Sequence, residues 1–311
     1  MVKVALLGIG NMGRNHLRIL SLLKGVTVTH IFDVNETELQ KLAEQYDVDY
    51  TTDVEKALEA AEAVIIATPT STHYEYFMKC VGKVKNVFIE KPLADSLEKG
   101  VAIQKAAQEH GMSVQCGFIE RFNPVVTELK RIMSDEGVVN ADFTRTNRLS
   151  SRITDVDVVL DLMIHDIDLA LYLNGAVKEV YAFGQKENGV VAFASALFKH
   201  ENGALSRILA SRMTEKKVRS IQITTDKSYI DGDLLRKELL IHQQSNTVQE
   251  ADKPYVISSL EQQVQVLPQE ALLTELQSFV KLCQGEMVDI PDVSAGLSSL
   301  QLSEQILQSI G

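Results

Sequence analysis

The chain has 311 residues, 45% of them hydrophobic and 23% charged, an ordinary globular balance spread over more chain than one compact core takes. A formal net charge of −11 repels phosphate backbones, which argues against nucleic-acid partners while leaving room for a local site for one small anion. No apolar run reaches membrane-spanning length, the opening Met1–Gly8 reads as a strand and not as a leader, and Cys80, Cys116 and Cys283 are far apart, odd in number and without metal-ligand spacing. The expectation is therefore a cytoplasmic protein with buried, reduced thiols and no membrane partner.

In chain order, apolar runs predict strands at Val2–Leu7, Val26–Phe32, Ala63–Ala67, Val87–Glu90 and Ser113–Cys116. Amphipathic stretches predict helices at Met12–Leu23, Glu36–Tyr46, Val54–Glu59, His73–Val81 and Ser96–His110. This βα alternation implies a doubly wound parallel sheet covered on both faces. After Gly117 the rhythm changes. A helix is predicted at Pro124–Met133, a strand at Val138–Arg148 and a strongly apolar helix at Val159–Leu173. Strand patterns follow at Val177–Gly184, Val190–Phe198, Ala204–Ser211, Ser220–Thr225 and Leu235–His242, with Glu-Asn-Gly turns at 187–189 and 201–203. Residues 243–268 are polar and unassigned, and helices at Glu270–Cys283 and Ser294–Ser309 close the chain. The predicted fold class is thus α/β plus α+β. A Rossmann-type domain spans 1–117, and a second domain spans 118–311 with a large open antiparallel sheet carrying helices on one face.

Gly8-Ile9-Gly10-Asn11-Met12-Gly13 follows the first strand and opens the first helix, the context in which a glycine-rich turn cradles a dinucleotide pyrophosphate. Asp33 lies 20 residues beyond Gly13, at the end of the second strand. Its carboxylate suits the ribose hydroxyls of NAD and repels the 2′-phosphate of NADP, and no arginine follows it in Val34-Asn35-Glu36. Two further strand ends, Thr68-Pro69…His73 and Glu90-Lys91-Pro92, belong to the same carboxyl edge, where open α/β sheets bind ligands. Thr72 and Glu75 have capping-box spacing. Lys91 reads equally as a surface lysine or as a functional one.

In the apolar helix a regular 100° wheel gathers Asp161, His165, Asp168 and Tyr172 into one polar stripe. Asp161 and His165, at i and i+4, can touch, and a carboxylate beside an imidazole suits general acid–base work near neutral pH. An internal polar network that only packs the helix explains the stripe equally well. Nothing nearby suggests a metal site.

The ordered set Gly8–Gly13, Ala67-Thr68-Pro69…His73, Glu90-Lys91-Pro92 and Asp161-x-x-x-His165 resembles the glucose–fructose oxidoreductase / inositol dehydrogenase / MocA family over essentially the whole chain. The resemblance implies an NAD(P)-dependent oxidoreductase acting on CH–OH groups of sugars or polyols. Lys91, Asp161 and His165 would be its catalytic residues, and Thr68, Pro69 and His73 its nicotinamide-side loop. Gly8, Gly10, Asn11, Met12, Gly13, Asp33, Glu90 and Lys91 complete the expected cofactor site. A homodimer or homotetramer formed through the second sheet is implied as well.

Within that family, Gly117-Phe118-Ile119-Glu120-Arg121-Phe122-Asn123-Pro124 and the arginines before Asp161 are similar to UDP-N-acetylglucosamine 3-dehydrogenases. This implies a nucleotide-sugar substrate, oxidised at C3 and touched by Lys91, Arg121, Asn123, Arg148, Arg152 and His165. Arg145, Arg148 and Arg152, with no acidic residue between them, form a cationic stretch able to hold a pyrophosphate, and solvated strand and loop charges explain any one of them at least as well. Inositol or free-sugar oxidation, and a non-catalytic NAD or sugar sensor, are the alternatives.

Overall fold

The computed structural model describes residues 1–133, 136–147, 156–244 and 259–311, which form two units. The first holds six parallel strands: β1 (Val2–Leu7), β2 (Val26–Phe32), β3 (Tyr50–Thr51), β4 (Ala63–Ile66), β5 (Asn86–Glu90) and β6 (Ser113–Gly117). Their order, β3-β2-β1-β4-β5-β6, is that of the Rossmann fold. The strand order reverses between β1 and β4, so the loops leaving these two strands flank the ligand-binding switch point. Helices α1 (Asn11–Leu20), α2 (Glu36–Tyr46), α3 (Val54–Glu59), α4 (His73–Cys80) and α5 (Leu97–Glu109) make the crossovers. Side chains set three of their starts: Asn35, Asp53 and Ser96 accept from the amides of Glu38, Glu55 and Lys99. The capping box expected at Thr72 does not form. Its hydroxyl turns back to Thr68 Oγ1 (2.8 Å) and Pro69 O (2.7 Å), closing the 3-10 turn Thr70–Thr72 that precedes α4.

The second unit starts with α6 (Pro124–Met133) and holds an eight-stranded sheet. Its strands are β7 (Val138–Thr146), β8 (Val177–Glu187), β9 (Val190–His200), β10 (Leu205–Ser211), β11 (Val218–Thr225), β12 (Ser228–Asp233), β13 (Glu238–Gln244) and β14 (Ser259–Gln263). The order is β14-β13-β12-β11-β7-β10-β9-β8, and every pairing is antiparallel except β7 with β10. The sheet is therefore mixed where the sequence suggested antiparallel. The Glu-Asn-Gly signals do mark turns: Asn188 and Gly189 take φ of 54° and 83° between β8 and β9, and Gly203 takes 91° before β10. The inner face (Ala141, Phe143, Ala194, Ala196, Phe198, Ile208, Ile221, Ile223, Ile230) packs with α6, with a π-helical turn at Val159–Met163 and with α7 (Ile164–Asn174). On the outer face Tyr181 (60% exposed), Phe183 (80%) and Leu197 lie beside Leu205 and the Arg207–Asp142 ion pair.

The chain then returns to the first unit. Helix α8 (Ala271–Cys283) and α9 (Val293–Ile310) as far as Gln301 belong with the Rossmann sheet, and the rest of α9 belongs to the second unit. Phe118–Phe122 also sides with the first unit, so a single boundary at Gly117 does not describe the division. The reason is apolar: Leu272, Leu276 and Phe279 of α8 join Leu6, Leu17, Ile31, Ile65 and Phe88 in one buried cluster. Phe279 meets the edge of Phe88 at a centroid distance of 5.7 Å. Burying each such side chain contributes roughly 1.5–3 kcal/mol.

Candidate active site

At the switch point each glycine does a different job. Gly8 has a φ of 92°, and a Cβ there would lie 2.6 Å from Ala67 O. A Cβ on Gly13 would lie 2.0 Å from Gly8 O, so the helix start presses on the turn. A Cβ on Gly10 would meet nothing within 4 Å. That open space, beside the first-turn amides of Asn11, Met12 and Gly13 with no side-chain cap and no acidic residue, is what an incoming pyrophosphate requires. Asp33 is held ready: Ile9 N–H donates to its Oδ2 (2.9 Å) and Asn35 N–H to its Oδ1 (3.1 Å). Each oxygen keeps a lone pair for a ribose hydroxyl. These residues fit NAD. Arg14, which is part of no motif, donates to Ile9 O (3.1 Å) and Glu38 (2.8 Å), so its charge is already offset.

The β4 and β5 ends are tied together. His73 is buried, with Nδ1 2.9 Å from Pro92 O and Nε2 2.9 Å from Thr68 O. Two carbonyls call for two N–H donors, whereas neutral imidazole has one. Burial is the stronger effect and pushes the His73 pKa down, opposed by the two carbonyls and by the carboxylates of Glu90 and Asp95. The histidine thus clamps one strand-end loop to the other. Glu90 is buried in turn: its Oε1 lies 2.6 Å from Nε2 of fully buried His16 on α1, and its Oε2 accepts from Lys91 N–H (3.3 Å). Both oxygens are committed inside the protein, so Glu90 supports the Lys91 turn from beneath. Gly117 makes room for it, since a Cβ there would lie 2.8 Å from Oε2. Lys91 itself is half-buried, as is Thr68, while Pro69 is exposed. His16 escaped the sequence reading; its position three residues after the last glycine of the motif is the signal that could have found it.

In the second unit the stripe read from the sequence is rearranged. Asp161 sits inside the π-helical turn and His165 at the start of α7, so the regular 100° wheel does not apply across them. Both are half-buried. Asp168 is fully buried, and Tyr172 lies under the Lys130 ammonium, 4.3 Å from its ring centroid. Asp166, which the wheel set apart, forms a sealed bidentate pair with Arg145: Nε–Oδ2 2.8 Å and Nη2–Oδ1 2.7 Å, both residues buried. This corrects the reading of Arg145 as part of a pyrophosphate-binding stretch, because its guanidinium is consumed in holding β7 to α7. Arg212, unsignalled by any motif, donates from Nη2 to Asp161 Oδ2 at 2.9 Å.

Of the remaining candidates, Asn123 is buried, its Nδ2 donating to Leu234 O (3.3 Å) and its Oδ1 accepting from Val125 N–H (3.1 Å). Both ends of its amide are used to anchor α6. Arg121 is half-buried on the 3-10 turn Ile119–Phe122 of the first unit. Arg148 and Arg152 lie outside the described residues. Among the described residues no cluster of His, Cys, Asp or Glu is arranged to hold a metal ion, and no helix is long and apolar enough to cross a membrane.

Fold and site define the class, an NAD-binding oxidoreductase. Two family models agree. One, described as an oxidoreductase family with an NAD-binding Rossmann fold, matches residues 2–118, and the GFO/IDH/MocA C-terminal domain matches residues 134–231. The chain belongs to the GFO/IDH/MocA oxidoreductase family. It is 28% identical to UDP-N-acetylglucosamine 3-dehydrogenase of Acidithiobacillus ferrooxidans over 98% of this chain and 96% of that one. A solved structure of that enzyme superposes with a TM-score of 0.89 over 99% and 97% of the two chains, at 26% identity. An NAD(+)-dependent scyllo-inositol 2-dehydrogenase of Bacillus subtilis is also 28% identical, over 77% of this chain and 76% of its own. Levoglucosan dehydrogenase, in a complex with NADH, shares the fold with a TM-score of 0.85 at 19% identity, over 99% and 96% of the two chains.

Proposed function

We propose that this oxidoreductase oxidises a secondary hydroxyl of a sugar to a ketone, the substrate being a UDP-N-acetylhexosamine and the position C3. The observation that carries this reading is the end-to-end likeness, in sequence and in fold, to a UDP-N-acetylglucosamine 3-dehydrogenase. When bound, NAD supplies the hydride acceptor. Lys91, Asp161 and His165 handle the proton. His165 accompanied by Asp161, or Lys91 in its neutral form, accepts it from the hydroxyl, and the Lys91 ammonium stabilises the alkoxide that develops. The Glu90 and His73 contacts favour this role, because they hold the Lys91 turn before any ligand arrives. Asp33 favours NAD over NADP, and a titration in which NADP binds the tighter would overturn that preference.

Inositol or free-sugar oxidation is the second reading, favoured by the likeness to the inositol dehydrogenase. A non-catalytic sensor is the third, and the joint presence of Lys91, Asp161 and His165 speaks against it. Incubating the protein and NAD with UDP-N-acetylhexosamines, free sugars and inositols, and following NADH, separates the three: each reading predicts turnover in one group, or in none. Arg148 and Arg152 carry the expectation of a pyrophosphate contact, tested by whether their replacement raises KM for the nucleotide sugar and not for NAD. The apolar outer face of the second sheet supports self-association into a dimer or tetramer. Three free cysteines suit a cytoplasmic setting.

A further inference from the structure

Two arginine–aspartate pairs brace the segment that carries His165, and they differ in one respect. The Arg145–Asp166 pair is sealed at both ends, with side-chain exposures of 2% and 3%. In the Arg212–Asp161 pair the guanidinium is covered, at 9%, but the carboxylate keeps 29% of its surface open. The Asp161 carboxylate is therefore accessible to a bound group while its arginine partner is covered. The backbone of Arg212 is fixed as well. Its amide donates to Ala192 O (2.9 Å), which ties its backbone to β9. The next residue is pinned as well, Met213 N–H donating to Ser211 Oγ (3.1 Å), and that hydroxyl reaches Thr214 Oγ1 at 3.1 Å. From this anchored turn Nη1 donates to Val156 O, just before the π-helical turn, and Nη2 to Asp161 inside it. One planar guanidinium therefore spans the entry and the middle of the turn, a two-point grip that a fork of fixed geometry can make.

Building on the assignment of Asp161 and His165 as the proton-handling pair, we infer that Arg212 is a positioning residue of this enzyme. It holds the π-helical turn in register and keeps one carboxylate oxygen of Asp161 occupied, so the carboxylate has a single orientation when the hydroxyl is bound. It acts through Asp161, the carboxylate with which its guanidinium is paired. Its contribution belongs to the chemical step and not to cofactor affinity.

The experiment compares the parent protein with Arg212→Gln and Arg212→Lys. In Arg212→Gln, kcat for sugar oxidation falls on the order of a hundredfold, the loss typical of a misplaced catalytic group, while KM for NAD is unchanged. Arg212→Lys, which can still reach Asp161 with one ammonium, recovers a large part of kcat. The Cε1–H resonance of His165, assigned by its loss in His165→Gln, moves in Arg212→Gln and moves back in Arg212→Lys. An Arg212→Gln enzyme that is folded and turns over like the parent overturns the inference. So do equal losses in both variants with a stationary His165 resonance. If the parent oxidises nothing in the panel, the functional reading has failed, and the resonance alone decides the role of Arg212: movement supports it and a stationary signal overturns it.

Discussion

Gly10 and Gly13 stand three residues apart, one capping α1 and the other in its first turn, yet alanine should act oppositely at the two. Gly13→Ala drives a Cβ to 2.0 Å from a backbone oxygen, so the turn must yield. The expected cost is about 1–3 kcal/mol of stability, read as a lowered Tm. Gly10 has φ −64° and ψ −165°, open to any residue, with empty space where the Cβ would stand. Gly10→Ala should melt like the parent and bind NAD poorly in a titration; normal NAD affinity would mean that the pyrophosphate lies elsewhere. His73 gives a pH prediction. Its folded pKa is lowered by burial, so below the ordinary imidazole value the unfolded chain binds more protons and stability falls with pH. Between about pH 7.5 and about pH 5.5 the parent should lose more Tm than His73→Gln, and equal losses would show that His73 titrates normally. The glycine turn and the Asp33 strand end were legible because glycine spacing and one acidic residue encode them locally. Arg212 was not, because its partner Asp161 lies 51 residues away and no short pattern records such a pairing.

Among the elements, the first sheet was readable strand by strand except for β3, whose two residues are too few for periodicity to register. In the second sheet β12 was missed because Ser228–Asp233 mixes Gly and Asp into the strand. Gly232 is there for packing, since a Cβ would come within 3.1 Å of Val125. β14 fell in a polar stretch that pairs through its backbone with β13. The π-helical turn at Val159–Met163 changed the reading most, because one wide turn rotates every later side chain relative to those before it. For α8, Phe279→Ala should destabilise the Rossmann unit by about 3–5 kcal/mol, the usual cost of emptying a buried aromatic site. A chain ending at Phe122 should expose the same apolar face and aggregate, whereas a full-length Phe279→Ala protein that melts like the parent would detach α8 from that core.

At the scale of the molecule, the outer face of the mixed sheet makes a claim of its own. Phe183→Asp places a charge on its most exposed aromatic ring. If that face joins copies of the chain, the variant should run at a lower mass than the parent in light scattering, with NAD binding intact. Identical masses would move the interface elsewhere.

The return of α8 to the first unit also sets a timetable for synthesis. Residues 1–122 leave the ribosome first, yet the cluster around Phe88 is completed only by Leu272, Leu276 and Phe279. At ordinary elongation rates that leaves roughly ten to thirty seconds in which the Rossmann sheet is made but unfinished. The strands of the second unit, β7 to β14, are all made within that interval, and the last turns of α9 that complete its core follow α8. The Rossmann sheet would then wait for α8 before it matures, and ability to bind the dinucleotide would signal that synthesis has passed Phe279.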